Sequence, residues 1–153
     1  MDKQIIKTII IEKQVAIPSY ELTHRKITFG DKANYVLVGL RRAGKSYLLY
    51  QDIQTRINEG NATVENILYI NFEDERLSYM KAEELGTILD SYMELYPDLQ
   101  PLIYLDEIQN IDGWEKFARR LADSKYRVMI TGSNAKMLSK EIASTLGGRY
   151  IPR

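Results

Sequence analysis

Cysteine is absent from the 153 residues, and histidine occurs once, at His24. The first absence excludes disulfides, thiolate nucleophiles and cysteine-ligated zinc; the second excludes a His-rich metal site and argues against a His-based catalytic triad. Charge of one sign is also missing, since 21 basic residues balance 21 acidic ones. A general attraction to nucleic acid or to an anionic membrane is not indicated, and a basic patch would have to be local. No apolar run reaches the roughly 20 residues that a membrane-spanning helix needs. The longest candidate, Ile5-Ile6-Lys7-Thr8-Ile9-Ile10-Ile11, is interrupted by Lys7 and ended by Glu12-Lys13, so it also lacks the continuous core of a signal peptide. A cytoplasmic location without membrane contact is expected. Ile5, Ile6, Ile9 and Ile10 would share one face of a helix, which predicts an amphipathic helix packed on the body; a strand is the alternative, because isoleucine is β-branched.

What is present is the size and composition of one ordinary globular domain, 44 % hydrophobic and 27 % charged. Residues 1–32 read as the N-terminal helix followed by a segment that wraps the body, punctuated by Pro18 and Gly30-Asp31, with Lys26 to Phe29 as a short strand. His24 reads as a surface or hydrogen-bonded imidazole. Residues 33–153 read as the core. Its apolar runs are Tyr35–Val38, Asn66–Phe72, Leu102–Leu105 and Arg127–Thr131. Between them lie helical patterns over about 44–59, 82–95 and 114–123, with a further one over about 136–145. The inner faces are Leu48, Leu49, Ile53 and Ile57 in the first helix. In the second they are Leu85, Ile88, Leu89 and Tyr92, and in the third Trp114, Phe117, Ala118 and Leu121. Strands alternating with helices predict an α/β fold, a mainly parallel sheet covered on both faces.

The chemistry starts at Gly39-Leu40-Arg41-Arg42-Ala43-Gly44-Lys45-Ser46, which fits the phosphate-cradling P-loop pattern and stands between a strand and a helix, as that pattern requires. Backbone N–H groups and a helix N-terminus would surround phosphates there. Lys45 would contact the β- and γ-phosphates and Ser46 would ligate Mg²⁺. Tyr47 follows directly and is counted with the nucleotide-binding stretch, although its ring and that of Tyr50 read as packing groups. Asp106-Glu107 ends the third apolar run. A strand buried on both faces can end in charges only where water, metal or substrate meets them. Asp106 would complete the Mg²⁺ shell, and Glu107 would orient or deprotonate the attacking water. Ser133-Asn134 follows the next strand; one of them could touch the γ-phosphate and the other cap the following helix. Glu73 and Asp74 read as a solvated acidic turn. Arg149, taken by itself, reads as a surface arginine.

The ordered set Gly-Leu-Arg-Arg-Ala-Gly-Lys-Ser, Tyr-Ile-Asn-Phe-Glu-Asp, Leu-Asp-Glu-Ile-Gln-Asn-Ile-Asp-Gly-Trp-Glu, Ile-Thr-Gly-Ser-Asn and Leu-Gly-Gly-Arg resembles the prokaryotic AAA-type ATPases of the AAA+ superfamily, the group usually followed by a C-terminal domain of unknown function. The resemblance runs from about Lys26 to the end. It implies a three-layer P-loop sandwich with strand order 5-1-4-3-2 and ATP as the nucleotide. Asp106 and Glu107 become the Walker B pair, Ser133-Asn134 the sensor-1 region, and Arg149 an arginine-finger candidate. Members of the group continue past the Gly-Arg element, so the fifth strand is expected to be only begun, the lid absent, and the chain an N-terminal ATPase part that in longer form would assemble with copies of itself. The expected function is Mg²⁺-dependent ATP hydrolysis that drives an unknown partner activity. The alternative is a nucleotide-switched module for a protein or DNA partner with little turnover. A small-molecule kinase is disfavoured by the Asp-Glu pair, because a kinase must keep a well-placed water out.

Overall fold

The computed structural model describes residues 1–23, 27–30, 32–39, 44–133, 144 and 148–152, the last four by their backbone. The predicted run around Tyr35 forms β1 (Asn34–Val38), and α2 (Lys45–Asn58) follows the P-loop after the N-terminal helix α1 (Lys3–Ala16). Then come β2 (Ile67–Asn71), α3 (Gly86–Leu95), β3 (Leu102–Asp106), α4 (Glu115–Asp123), β4 (Val128–Gly132) and β5 (Gly148–Pro152). The helix expected over about 136–145 falls outside the described residues apart from Ser144.

All pairings in the sheet are parallel, and the order β2-β3-β4-β1-β5 is the expected 5-1-4-3-2 read from the other edge. The fifth strand corrects one expectation. It is not merely begun: it pairs with β1 from Asn34↔Gly148 to Val38↔Pro152, matching every residue of that strand.

Side-chain alternation divides β1 to β4 between two cores. Val36, Val38, Leu68, Ile70, Ile103, Leu105, Val128 and Ile130 meet α1, α3 and α4 on one face. Tyr35, Leu37, Ile67, Tyr69, Tyr104 and Met129 meet Leu48, Leu49 and Ile53 of α2 on the other. Both faces are covered, as a parallel sheet requires. The N-terminal helix belongs to the first core: Ile6, Ile9 and Ile10 are fully buried. Gln14 at its last turn donates from Nε2 to the Ile67 carbonyl of edge strand β2 at 3.0 Å, and Tyr96 donates to Gln14 Oε1 at 2.8 Å. One carbonyl of that edge strand is thereby satisfied.

The segment before β1 differs from expectation. Lys26 lies outside the described residues, and Ile27 to Gly30 has no regular structure. The edge beside β1 is taken by β5. The carbonyls of the segment accept instead from side chains: Ile27 from Gln51 at 3.1 Å, Phe29 from Arg56, and Gly30 from Arg127 at 3.0 Å.

Arg56 and Arg127 also meet in a buried ionic cluster that the sequence did not announce. Asp52 on α2 receives Arg127 Nη1 at 2.8 Å, Arg127 Nη2 at 3.2 Å, Arg56 Nη2 at 3.2 Å and the Tyr104 hydroxyl at 2.6 Å. Burial first, and then the Asp52 charge, hold the Tyr104 phenol well above its ordinary value of 10.0, so it stays a donor. One carboxylate therefore ties α2, β3, the start of β4 and the 27–30 segment together. Replacing Asp52 by Ala strands two buried guanidinium groups. The expected loss is about 3–5 kcal/mol of stability, read as a lower urea midpoint at unchanged slope.

Candidate nucleotide site

The carboxyl ends of β1, β3 and β4 converge where the P-loop enters α2. Gly39 donates its backbone N–H to the Gly132 carbonyl at 3.4 Å, closing the end of β1 against the end of β4. Gly44 stands before α2 at φ 87°, a left-handed conformation that glycine takes without the steric cost of a Cβ. Lys45 is the first residue of α2 and is buried. Residues 40–43, with Leu40, Arg41, Arg42 and Ala43, lie outside the described set.

Alternation explains why Asp106 meets Ser46. Asp106 is two residues beyond Tyr104, so it shares the face that α2 covers. Ser46, in the first turn of α2, donates to Asp106 Oδ2 at 2.6 Å. Thr131 on β4 donates to Oδ1 at 2.5 Å, and the Tyr69 hydroxyl on β2 donates to Oδ2. Three hydroxyls thus satisfy a carboxylate with no exposed surface. Burial first, then the charge of Asp106, keep Tyr69 well above its ordinary 10.0 and hence protonated. A hydroxyl oxygen and a carboxylate oxygen this close are the hard donors that Mg²⁺ takes when phosphates and water fill the remaining positions.

Glu107 leaves the strand direction abruptly. Its φ of 57° is left-handed, unusual for a non-glycine residue, and two side chains hold it there. Thr131 Oγ1 accepts from the Glu107 N–H at 2.9 Å, and Asn110 Nδ2 donates to the Glu107 carbonyl at 2.9 Å. The turn carries the chain into a short 3₁₀ segment, Ile108–Asn110. The Glu107 carboxylate lies beside β4, where Ser133 Oγ donates to Oε2 at 2.8 Å. Gln109 Nε2 donates to the same Oε2 at 2.6 Å.

The predicted residues therefore divide. Gly39, Gly44, Lys45, Ser46, Asp106, Glu107 and Ser133 lie around one strand-end site. Asn134 lies outside the described residues, and Arg149 is placed only by its backbone, in β5 opposite Tyr35. Tyr50 packs as expected, with its ring 5.5 Å from Tyr69 and 5.0 Å from Tyr20. Tyr47 does not: 60 % exposed, it touches Tyr50 edge-on at 5.8 Å and projects from the first turn of α2. Beside it a cavity of about 430 Å³ is lined by Glu21, Leu22, Thr23, Tyr47 and Gln51. A larger cavity, about 570 Å³, lies between the amino ends of the strands, lined by Asn34, Asn66, Leu102 and Arg127 among others. It is at the wrong end of the sheet for a ligand of an open α/β fold and contains neither carboxylate of the site. Asp74 lies in a turn, as expected, but it is not solvated: its side chain is 16 % exposed, caps a 3₁₀ segment and pairs with Arg76 at 2.8 Å.

Sequence reasoning missed Thr131, Tyr69 and Gln109. Thr131 carried the signal that exposed Asp106, a polar residue at the carboxyl end of an apolar run. Tyr69 carried none, since a tyrosine inside a strand reads as core until its register with β3 is known.

Comparison with known proteins bears on the same residues. The model of a family described as AAA domain matches residues 31–152. An uncharacterised protein of Methanocaldococcus jannaschii is 43 % identical over 116 residues, which is 76 % of this chain and 24 % of that protein. One of Haemophilus influenzae is 42 % identical over 120 residues, 76 % of this chain and 29 % of that protein. The chain thus spans about a quarter of the length of these relatives. Among solved structures, the Aeropyrum pernix Orc1 protein in complex with DNA superposes with a TM-score of 0.52 over 98 % of this chain and 44 % of that one, at 14 % identity. That likeness is one of fold. With the strand order, the P-loop sequence and the strand-end carboxylates established, the chain belongs to the AAA domain family, with the fold of a P-loop ATPase.

Proposed function

We propose that the chain binds ATP with Mg²⁺ and hydrolyses it to ADP and phosphate, and that the longer protein uses this reaction to drive a partner. The observation that carries the reading is the hydrogen bond from Ser46, in the first turn of α2, to Asp106 at the carboxyl end of β3, with Glu107 next in the chain, in a member of this family. The loop from Gly39 to Ser46 surrounds the phosphates, Tyr47 borders the nucleotide, and the cavity beside it has room for the base. Lys45 contacts the β- and γ-phosphates. Ser46 and Asp106 hold Mg²⁺, which when bound draws charge from the phosphate oxygens. Glu107 orients the attacking water and takes its proton. Ser133 or Asn134 contacts the γ-phosphate. The backbone of Arg149 lies opposite Tyr35, towards the amino end of β1 and away from the strand ends that carry the site, so Arg149 is assigned to the transition state of a neighbouring copy and not of its own chain. Self-assembly, a protein or DNA partner and a cytoplasmic location belong to the same proposal. Among the described residues no helix is long and apolar enough to cross a membrane.

A second reading keeps ATP binding and makes the chain a switch with little turnover. It is favoured by the engagement of Glu107 with Ser133 and Gln109 rather than with an open site. Phosphate release, measured beside calorimetric ATP binding, separates the two. Steady Mg²⁺-dependent release supports the hydrolase. Tight binding with negligible release, and partner capture that requires ATP, supports the switch. Absence of ATP binding overturns both.

A further inference from the structure

Gln109 follows Asp106-Glu107 in the quoted stretch but has no role assigned there, yet it touches both groups that would face the γ-phosphate. Its Nε2 lies 2.6 Å from Glu107 Oε2 and 3.1 Å from Ser133 Oγ, while Ser133 Oγ lies 2.8 Å from that same Oε2. Proton counting fixes this triangle. A carboxylate only accepts, so the amide must present its nitrogen to Glu107. One N–H goes to Glu107 and the other to Ser133, and the single Ser133 proton goes to Glu107. The amide oxygen is left buried with no partner among the described residues. Such an arrangement is unfavourable for Gln109 by itself and is held by the demand of Glu107 for a donor.

The single serine proton makes two states exclusive. A γ-phosphate also only accepts. Ser133 can donate to the phosphate or to Glu107, and not to both. When it turns to the phosphate, its oxygen still accepts from Gln109, and Glu107 loses one of its two donors. We propose that Gln109 is the positioning residue of Glu107: without nucleotide the carboxylate is fastened by Ser133 and Gln109 together, and when Ser133 binds the γ-phosphate, Gln109 alone keeps it aimed while freeing it to take a proton. The proposal rests on the reading of Glu107 as the group that handles the attacking water and takes Ser133, of the pair Ser133-Asn134, as the γ-phosphate contact.

Single-turnover hydrolysis of Mg²⁺-ATP tests it with Gln109→Met, which keeps the length and removes both donors. Gln109→Asn, which keeps the amide and shortens its reach, is the second variant. Both are expected to slow the chemical step by about 10²-fold, as misplacement of a reacting group by an ångström does. Calorimetric ATP affinity should stay within about twofold. In a Glu107→Gln background, Gln109→Met should change the rate by less than about twofold, because residues that act as a unit are not additive. Emission from Trp114, the only tryptophan and fully buried, reports folding; if Gln109→Met perturbs it, Gln109→Asn decides. A wild-type rate in the folded variants overturns the proposal, as does a loss of ATP affinity in step with the rate. If Glu107→Gln is inactive and the Gln109 variants are not, only the role of Gln109 falls. If Glu107→Gln turns over normally, the reading of Glu107 falls with it.

Discussion

Replacing Glu107 by Gln is expected to leave ATP binding within about twofold and to lower phosphate release by roughly 10²–10⁴-fold, the range for loss of a positioned general base. The substitution is selective because the features that place residue 107 do not involve its carboxylate. Its left-handed backbone is held through the N–H by Thr131 and through the carbonyl by Asn110. An amide at this position can still offer an oxygen to Gln109 and Ser133, so the surroundings persist. What it cannot do is accept a proton from water. Phosphate release followed in parallel with calorimetry separates chemistry from binding. Wild-type turnover in this variant would remove Glu107 from the reaction and leave Asp106 with the metal as the only acidic function of the strand end. Retained binding without release would also yield a form suited to trapping partners in the ATP state.

The architecture was legible because the strands are buried on both faces. Such strands read as uninterrupted apolar runs, and Leu102-Ile103-Tyr104-Leu105 and Val128-Met129-Ile130 appear in the structure where the sequence places them. Two helices of the core, α2 and α4, were legible from their 3.6-residue spacing, down to Trp114, Phe117, Ala118 and Leu121, all buried; the helix expected from about residue 82 begins only at Gly86, because Ala82–Glu84 forms a separate 3₁₀ turn. The contacts that complete the site were not legible, because register and not local pattern creates them. Tyr69 reaches Asp106 across 37 positions, and Arg127 reaches Asp52 across 75. Neither pair has a sequence spacing that means anything before the sheet order is known. Tyr47 shows the complementary failure. The residue after a P-loop serine lies in the first turn of the helix, so its ring can face the cavity it lines with Glu21, Leu22, Thr23 and Gln51 rather than the core. Gln109 was hidden in a short 3₁₀ turn whose existence depends on the unusual backbone of Glu107.

Replacing Lys45 by Ala is expected to weaken ATP binding by about 2–5 kcal/mol, the loss typical when one member of a desolvated charge pair is truncated, or roughly 30- to several-thousand-fold in affinity. The backbone cradle alone cannot make up that loss. The N-terminus of α2 offers N–H groups and about half a positive charge, whereas ATP brings several negative charges to the same spot. The lysine adds a full charge on a flexible stem from a position that is 2 % exposed, where water screens little. Alanine is the strongest helix former, and the left-handed turn belongs to Gly44, so α2 should still begin at residue 45. Folding is checked through Trp114 and the urea midpoint. Lys45→Arg sharpens the test. It keeps the charge but replaces a compact ammonium by a wider planar fork, so recovery of part of the affinity without turnover would identify position 45 as a phosphate contact rather than a source of general positive potential. Undiminished ATP affinity in Lys45→Ala would sink the assignment of the loop, and with it the reading of Asp106 and Glu107 as the hydrolytic half of one site.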